Sequence, residues 1–295
     1  MSYFDIPQPI TLRAAVKAPA GAMQVLLRYA VEKPTPQDPG SAVGEVTYLA
    51  PNTLIVSLGK KEKVSADTLR QAGGSMVRWL LAKNVKEAAV DASAADLASQ
   101  GEHLEALMEG CLLGSYRFTR YKKADDTPAA CEVTFHAPSL TGLEKSITRV
   151  EKLTRSVNLA REWAHEPANV VNPATLEERA RELAAKYQLK ITVLDDKQLA
   201  ELGADGIVAV GKGSKTPSKL MILEYAGKKP AGQKPVVLLG KALTFDSGGY
   251  SIKPVEGIQG MKYDKCGGVT VLATLMAVAE LGIEHPILGV VAAAE

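Results

Sequence analysis

The chain has 295 residues, of which 46% are hydrophobic, and this is enough for two globular cores. Its net charge of +2 and aromatic content of 5% argue against a nucleic-acid surface, and no apolar run approaches the roughly 18 residues that span a membrane. The three cysteines are far apart and form no CxxC motif, which argues against a disulfide framework or a zinc ribbon. The start, MSYFDIPQPI, lacks the apolar core of a signal peptide, so we expect a cytoplasmic protein.

The first half of the sequence alternates strand-like and helix-like segments. Strands are predicted for MQVLLRYAVE, TLIVSLG, VKEAAVDA and CEVTFHA, and helices for SADTLRQAGGSMVRWLLAKN and HLEALMEGCLLGSYRFTRY. We therefore expect an N-terminal α/β domain over residues 1–145. The long helix LEKSITRVEKLTRSVNLAREWAHE follows, and residues 146–172 are expected to form a linker helix and the domain junction.

Residues 173–295 are expected to form a second α/β domain. It opens with a helix for which Thr175 as N-cap and Glu178 predict a capping box. Four strand candidates follow, KITVLDD, GIVAVGKGS, LMILEYAG and PVVLLGKALTF, and then the helix GGVTVLATLMAVAELG and the strand HPILGVVAAAE. These strands are rich in Val, Ile and Leu without alternation, which predicts a mixed, largely parallel sheet with helices on both faces. No covering helix follows the last strand, so we expect the sequence to be cut off.

The tetrapeptide DSGG, within GKALTFDSGGYSIK (residues 240–253), raises the question of a serine nucleophile. The elbow G-x-S-x-G is absent, because Phe245 stands where its first glycine would be. None of the four histidines lies in a nearby motif that would supply the base. Ser247 is therefore predicted to be part of a turn.

Two further motifs are incomplete. GIVAVGKGS is close to the phosphate-binding pattern G-x-x-x-x-G-K-[ST], but Gly213 follows Lys212 where a serine or threonine is needed. His165 and Glu166 begin the zinc pattern H-E-x-x-H, but Asn169 replaces its second histidine. A glycine-rich turn between two strands and a packing role for His165 are the better interpretations.

Charged residues after PVVLLG indicate a metal site. Lys241 and Asp246 follow this predicted strand, and open α/β sheets bind their ligands at the carboxyl ends of strands. Asp264 precedes the next helix, so two carboxylates and two lysines, Lys241 and Lys253, are expected at one rim. Carboxylate oxygens bind Mn²⁺, Mg²⁺ or Zn²⁺, and a lysine beside a metal can bind through its neutral amine. A surface turn stabilised by salt bridges is the alternative that these residues alone leave open.

The longer run GKALTFDSGGYSIKPVEGIQGMKYDKCGG resembles the signature of the leucyl (cytosol) aminopeptidases, the M17 metallopeptidases. Upstream, NLAREWAHEPANVVNPATLEERARELA and GADGIVAVGKGSKTPSKLMILEYAGK are similar to the same family. The resemblance covers about residues 155–295 and makes residues 173–295 the N-terminal part of a metallo-aminopeptidase catalytic domain. Before that it implies only an α/β amino-terminal domain.

By this resemblance the site holds two divalent metal ions, Mn²⁺ or Zn²⁺, about 3.5–4 Å apart. Lys241 and Asp264 would bind the tighter metal, and Asp246 would bridge both. Lys253 would stay cationic and stabilise the oxyanion, and Met261 would line the pocket for the first side chain of the substrate. The implied reaction is hydrolysis of the N-terminal peptide bond of peptides with a free N-terminus, by metal-activated water.

The sequence departs from the family at one point. The second family signature, NTDAEGR, which carries further metal ligands and an arginine, has no counterpart before Glu295. We therefore expect a truncated aminopeptidase that is inactive or nearly so on its own, and a homohexamer for the full-length protein. The sequence gives no physical reason to place Glu256 or Glu295 near the metals. A non-enzymatic M17-like scaffold or binding protein is the alternative.

Overall fold

The structure is a computed structural model that describes residues 3–32, 35, 37–38, 40–93, 97, 101–123, 129–138, 142–228 and 232–295. Internal contacts divide the chain into two compact units, residues 7–154 and residues 3–6 together with 155–295. Both units combine a sheet with helices, which confirms the predicted α/β class. The predicted boundaries at residues 145 and 172 stay predictions.

The first unit is built on a six-stranded sheet. Its strands are β1 (Ile10–Ala15), β2 (Met23–Arg28), β3 (Val46–Leu49), β4 (Thr53–Ser57), β5 (Glu87–Asp91) and β6 (Cys131–His136). Their order is β1-β6-β5-β2-β4-β3, and every pairing is parallel except that of β3 with β4. The four strands predicted in this half are present as β2, β4, β5 and β6. The sheet lies in one core, in which the β4 side chains of Leu54 and Val56 are fully buried.

Two helices of this unit, α1 (Ala66–Ala82) and α2 (Gly101–Ser115), pack closely because glycines lie between them. A Cβ atom at Gly73 would lie 2.3 Å from the carbonyl oxygen of Leu107. A Cβ atom at Gly110 would lie 2.2 Å from the carbonyl oxygen of Arg70. Such distances leave no room for any side chain, so both positions require glycine for the helices to pack this closely.

The remaining helices are α3 (Leu143–His165), α4 (Pro173–Tyr187), α5 (Asp196–Glu201), α6 (Asp205–Gly211), α7 (Val255–Ile258) and α8 (Cys266–Leu281). The boundary between the two units falls within α3. In the part of the chain that the structure describes, no helix is both long and apolar enough to cross a membrane.

The second unit carries a four-stranded sheet. Its strands are β7 (Lys190–Leu194), β8 (Lys219–Tyr225), β9 (Val236–Leu243) and β10 (Ile287–Ala294), in the order β7-β8-β10-β9. The sheet is mixed, as predicted. Among the described strands of this second sheet only β9 and β10 pair in parallel, however, since β8 is antiparallel to both β7 and β10. The parallel share is therefore smaller than predicted, because strand direction depends on pairings between distant segments.

The two faces of this sheet differ in burial. Helix α8 packs against the face that contains Gly240 and Val291, where a Cβ atom at Gly240 would lie 2.5 Å from the carbonyl oxygen of Gly267. On the other face, Val237 is 56% exposed and Leu239 is 76% exposed. The prediction that these strands are buried on both faces is therefore wrong for β9, which lies at the edge of the sheet.

Residues near the N-terminus pack in the second unit. The Trp163 indole N–H donates a hydrogen bond to the carbonyl oxygen of Tyr3 at 3.1 Å, and its ring centroid lies 5.9 Å from that of Phe4. The Arg179 guanidinium lies over the rings of Tyr3 and Trp163, at 4.6 and 5.1 Å from their centroids. Trp163 therefore has the packing role that its apolar character indicates, and it joins the start of the chain to α3 and α4.

The segment GIVAVGKGS is helical at its start, so its prediction as a strand is wrong. It contributes to α6, which begins at Asp205. Short runs of apolar residues cannot be assigned to a strand or a helix by periodicity alone. Tertiary contacts decide this case, because the Ser218 hydroxyl donates to the carbonyl oxygen of Ile207 at 3.0 Å and lies beside Gly211.

The start of α4 is also different from the prediction. Its N-cap is Asn172, whose side-chain oxygen accepts hydrogen bonds from the backbone N–H groups of Ala174 and Thr175, both at 3.1 Å. Thr175 is the third helical residue, and its hydroxyl oxygen accepts a hydrogen bond from the Asn172 N–H at 2.9 Å. Asparagine is among the preferred N-cap residues, and proline favours the first helical position, here Pro173. The capping box therefore lies three residues earlier than predicted.

Candidate metal centre

Strand β9 positions Lys241. Its side chain continues the exposed row of Val237 and Leu239, because alternate residues of a strand share a face, and it is 62% exposed. On the opposite face Gly240 allows the start of α8 to approach the strand, so the backbone of Gly267 comes close to that of Lys241. The first residues of α8, and the aspartate that precedes them, are thereby held beside Lys241.

The turn after β9 positions Asp246 and Lys253. Gly248 and Gly249 have φ angles of +91° and +64°, a region that favours glycine. The Lys253 N–H donates to the carbonyl oxygen of Ser247 at 3.0 Å, which closes the turn. Its ammonium then lies 2.5 Å from Asp246 Oδ2, while Asp246 Oδ1 accepts from the Gly248 N–H at 2.9 Å.

These contacts also fix the charge of Asp246. The hydrogen bond from Lys253 and that from the Gly248 N–H hold the pKa of Asp246 below its usual value, and the positive charge of Lys241 contributes. The Ser247 hydroxyl accepts from the Gly249 N–H at 3.4 Å and so takes part in the turn. The arrangement therefore favours an ionised Asp246 carboxylate near two lysines, with Ser247 in the turn.

Asp264 joins this group from the other side. It directly follows the 3₁₀ turn Met261–Tyr263, and its Oδ2 atom lies 2.8 Å from Lys241 Nζ. Lys241, Asp246, Lys253 and Asp264, here called the charged cluster, therefore form two ion pairs that are linked by the charge of Lys241. The structure brings all four predicted residues together. Met261 lies three residues before Asp264, at the start of the 3₁₀ turn.

The donor atoms of the charged cluster fit a divalent cation. Asp264 Oδ2 is buried and makes no hydrogen bond of normal geometry, although Lys241 Nζ is within ion-pair distance. Two carboxylates and one amine are ligands that Mn²⁺ and Zn²⁺ accept. The charged cluster offers few metal ligands. In the described ranges, no group of three or more His, Cys, Asp or Glu residues could hold a metal ion. A metal at Asp246 would also compete with the Lys253 ammonium.

Two sequence models of one family match the chain. The catalytic domain of the cytosol aminopeptidase family matches residues 158–295, and the N-terminal domain of that family matches residues 44–125. The chain belongs to the cytosol aminopeptidase family. All four residues of the charged cluster lie within the match to the catalytic domain of this family.

Individual relatives agree with this. The chain is 39% identical to the probable cytosol aminopeptidase of Aquifex aeolicus, over 82% of this chain and 48% of the relative. It is 40% identical to that of Geobacter sp. strain M21, over 83% of this chain and 50% of the relative. The chain thus spans about half the length of the curated relatives it matches.

Solved structures show a similar fold. The bottromycin maturation enzyme BotP in complex with Mn is 28% identical with a TM-score of 0.78, over 93% of this chain and 60% of that one. A tomato leucine aminopeptidase mutant has a TM-score of 0.79 over 99% of this chain and 63% of that one. At 22% identity the second likeness shows the fold alone.

Lys265 and Tyr263 were not predicted as part of the site, and both contact the end of α3. The side chain of Lys265 is fully buried, and burial lowers its pKa to about 8. His165 Nδ1 lies 2.9 Å from the Tyr263 hydroxyl, so His165 contacts the 3₁₀ turn. The only sequence signal for Lys265 and Tyr263 is that they flank Asp264. Their partners are about a hundred residues away in sequence, where local patterns give no information.

Glu295 and Glu256, the other two acidic residues considered from the sequence, lie on different parts of the chain. Glu295 follows β10, and its Oε2 atom accepts a hydrogen bond from the buried Thr244 hydroxyl at 2.9 Å. Thr244 is two residues before Asp246, so Glu295 is held at the end of the sheet from which the cluster extends. Glu256 lies on the short helix α7 and is exposed.

Proposed function

We propose that this chain forms the metal-binding part of a metal-dependent aminopeptidase, an enzyme that removes the N-terminal residue from peptides. The observation that carries the proposal is the meeting of Lys241, Asp246, Lys253 and Asp264 in a segment that belongs to the cytosol aminopeptidase family.

The roles follow from the contacts and the family resemblance. Lys241 and Asp264 would hold one divalent cation, and Asp246 would be shared between two. Metal ions bound there would supply Lewis-acid activation of water and of the peptide carbonyl. Mn²⁺ is the first cation to test, since the similar BotP structure is a complex with Mn, and Zn²⁺ is the second.

Lys253 would stabilise negative charge on the substrate. It lies beside Asp246 on the turn that contains Gly248 and Gly249, and an ammonium group can donate to a carbonyl oxygen as negative charge develops on it. The same turn orients Asp246 through the Gly248 N–H. Met261 would contact the first side chain of a leucine-type substrate from the 3₁₀ turn. The structure gives the position of Met261, and the resemblance gives this role.

The activity is proposed for the longer protein of the family rather than for these residues alone. Two metal ions need more ligands than the chain offers here, since only Lys241, Asp246 and Asp264 are proposed to bind them. We therefore expect the chain by itself to be inactive or nearly so. Peptides with a free N-terminus as substrates, a homohexamer and a cytoplasmic location are proposals that rest on the family resemblance.

Hydrolysis of Leu-p-nitroanilide with added Mn²⁺ tests the function, by the chain alone and by a chimera. The chimera joins residues 1–295 to the part of the Aquifex aeolicus relative that this chain does not match. We expect activity in the chimera, abolished by Asp246→Ala and reduced about 10²–10³-fold by Lys253→Met. Lys197→Met, at an exposed lysine of α5 outside the charged cluster, is the matched control.

The outcomes separate the possibilities. Chimera activity that survives Asp246→Ala would contradict the proposed site. Strong activity of the chain alone that Asp246→Ala abolishes would show that residues 1–295 complete the site, against our expectation. A folded chimera without activity would favour the alternative of a non-enzymatic scaffold or binding protein.

A further inference from the structure

The end of α3 and the 3₁₀ turn are joined by lysine side chains. Three consecutive carbonyl oxygens at this end each accept a hydrogen bond from an ammonium group. Lys265 donates to Ala164 O at 3.1 Å and to Glu166 O at 2.8 Å, and Lys262 donates to His165 O at 3.1 Å. The last carbonyls of a helix have no partners within the helix, and cations near them are favourable.

Lys265 makes the deeper of these two contacts. Its side chain is fully buried, and its ammonium also donates to the carbonyl oxygen of Lys262, in the 3₁₀ turn. An ammonium group has three N–H donors, and these three carbonyl oxygens use all of them. A single buried group therefore ties α3 to the turn.

A buried cation is costly, which makes its presence informative. Transfer of an ammonium group out of water is unfavourable unless hydrogen bonds compensate, and an apolar side chain of similar length would fill the space without that cost. What an apolar side chain cannot do is satisfy three carbonyl oxygens at once. The lysine is thus suited to holding this backbone in one arrangement.

Asp264 lies between the two lysines in sequence, and its carboxylate faces Lys241. We propose that Lys265 is a positioning residue for the charged cluster: by clamping the 3₁₀ turn to the end of α3, it fixes the orientation of Asp264 for a divalent cation. The inference rests on the proposed function, because it assumes that Asp264 is a metal ligand. Lys265 itself does not touch the metal or the substrate.

The test compares variants of the 295-residue chain. Lys265→Met keeps the length of the side chain and removes every donor, while Lys265→Gln keeps two N–H donors and no charge. Asp264→Ala removes the ligand itself. Leu183→Ala, which creates a cavity in the core of the same unit, is the matched control for a general loss of stability.

Two measurements are made on each variant. Hydrogen exchange followed by mass spectrometry locates the change, and the electron paramagnetic resonance signal of free Mn²⁺ gives the affinity for the metal. For Lys265→Met we expect faster exchange confined to residues 162–168 and 260–266, and a Kd for Mn²⁺ raised about 10–100-fold, as for other residues that orient metal ligands. Lys265→Gln should be intermediate, and Leu183→Ala should change exchange throughout the unit without changing the Kd.

The outcomes distinguish this inference from the proposed function. If Asp264→Ala weakens Mn²⁺ binding and Lys265→Met does not, the positioning role is wrong and the metal site stands. If neither changes binding, the proposed metal site is wrong, and the positioning role is wrong with it. Should Lys265→Met fail to fold, Lys265→Gln decides: binding equal to that of the unchanged chain would overturn the role.

Discussion

Strands β4 and β9 show how differently the two units use similar sequences. Both are short and rich in branched apolar side chains, and the sequence predicts burial on both faces for β9. In β4 the side chains of Leu54 and Val56 are fully buried, whereas in β9 Leu239 is 76% exposed. The first strand lies inside a six-stranded sheet, and the second lies at the edge of a four-stranded one.

The difference extends to charge. The exposed row of β9 ends at Lys241, and the turn that follows carries Asp246 and Lys253. Strand β9, the more exposed of the two strands, thus leads directly into the charged cluster. An apolar run therefore predicts a strand, but it does not predict what covers the strand.

The largest difference is expected for matched leucine substitutions. Leu54→Ala should lower the free energy of unfolding by about 2–5 kcal/mol, because it leaves a cavity in a closed core. Leu239→Ala should change it by less than about 0.5 kcal/mol, because the side chain is already in water. Urea unfolding measures both, with Trp79 fluorescence reporting on the first unit and Trp163 fluorescence on the second, each after replacement of the other tryptophan by phenylalanine. Equal losses would contradict the burial difference between the strands.

A smaller effect is expected for the helix contact of the first unit. Gly110→Ala places a methyl group against the carbonyl oxygen of Arg70 and should cost about 1–3 kcal/mol, because the two helices must separate. Gly101→Ala, at the open start of the same helix, is the control, since its added Cβ would meet no atom within 4 Å. The same urea experiment applies. A Gly110→Ala variant as stable as the control would show that α1 and α2 do not pack this closely.

The smallest effect concerns pH and the contact between α3 and the 3₁₀ turn. Burial and the nearby Lys262 ammonium lower the pKa of His165 below its ordinary value of about 6.5, so folding favours the neutral imidazole. The stability that this shift provides is complete above the ordinary pKa and is lost as the pH falls through the lower pKa of the folded state.

The measurement is the urea midpoint of the second unit at pH 7 and at pH 5. The unchanged chain should lose more stability between the two than His165→Gln does. If both lose the same amount, His165 does not make the proposed contribution.

The sequence was sufficient where the determinants are local. Lys241, Asp246, Lys253 and Asp264 lie on one strand–turn–helix segment, so their spacing already placed them at one rim, and the structure brings them together. The alternation of strands and long helices was also local and gave the α/β class.

What the sequence did not give depends on distant contacts. Helix α6 is fixed by Ser218, eleven residues after its partner Ile207, and the antiparallel pairing of β8 with β10 joins segments about seventy residues apart. The three carbonyl partners of Lys265 include two on the last residues of α3 and beyond it. No local pattern contains this information. The N-cap at Asn172 is a different case, because Asn172 followed by Pro173 is itself a local pattern that favours a helix start.

The central claim is that Asp246 and Asp264 serve one metal centre. Calorimetric titration of Mn²⁺ into the chain, into Asp246→Asn, into Asp264→Asn and into the double variant tests it, with Asp196→Asn at an exposed aspartate of α5 as the control. If the two carboxylates act together, each single substitution removes most of the binding, and the double substitution adds little beyond either one. Binding that is unchanged in both single variants, or losses that simply add, would contradict a shared metal centre.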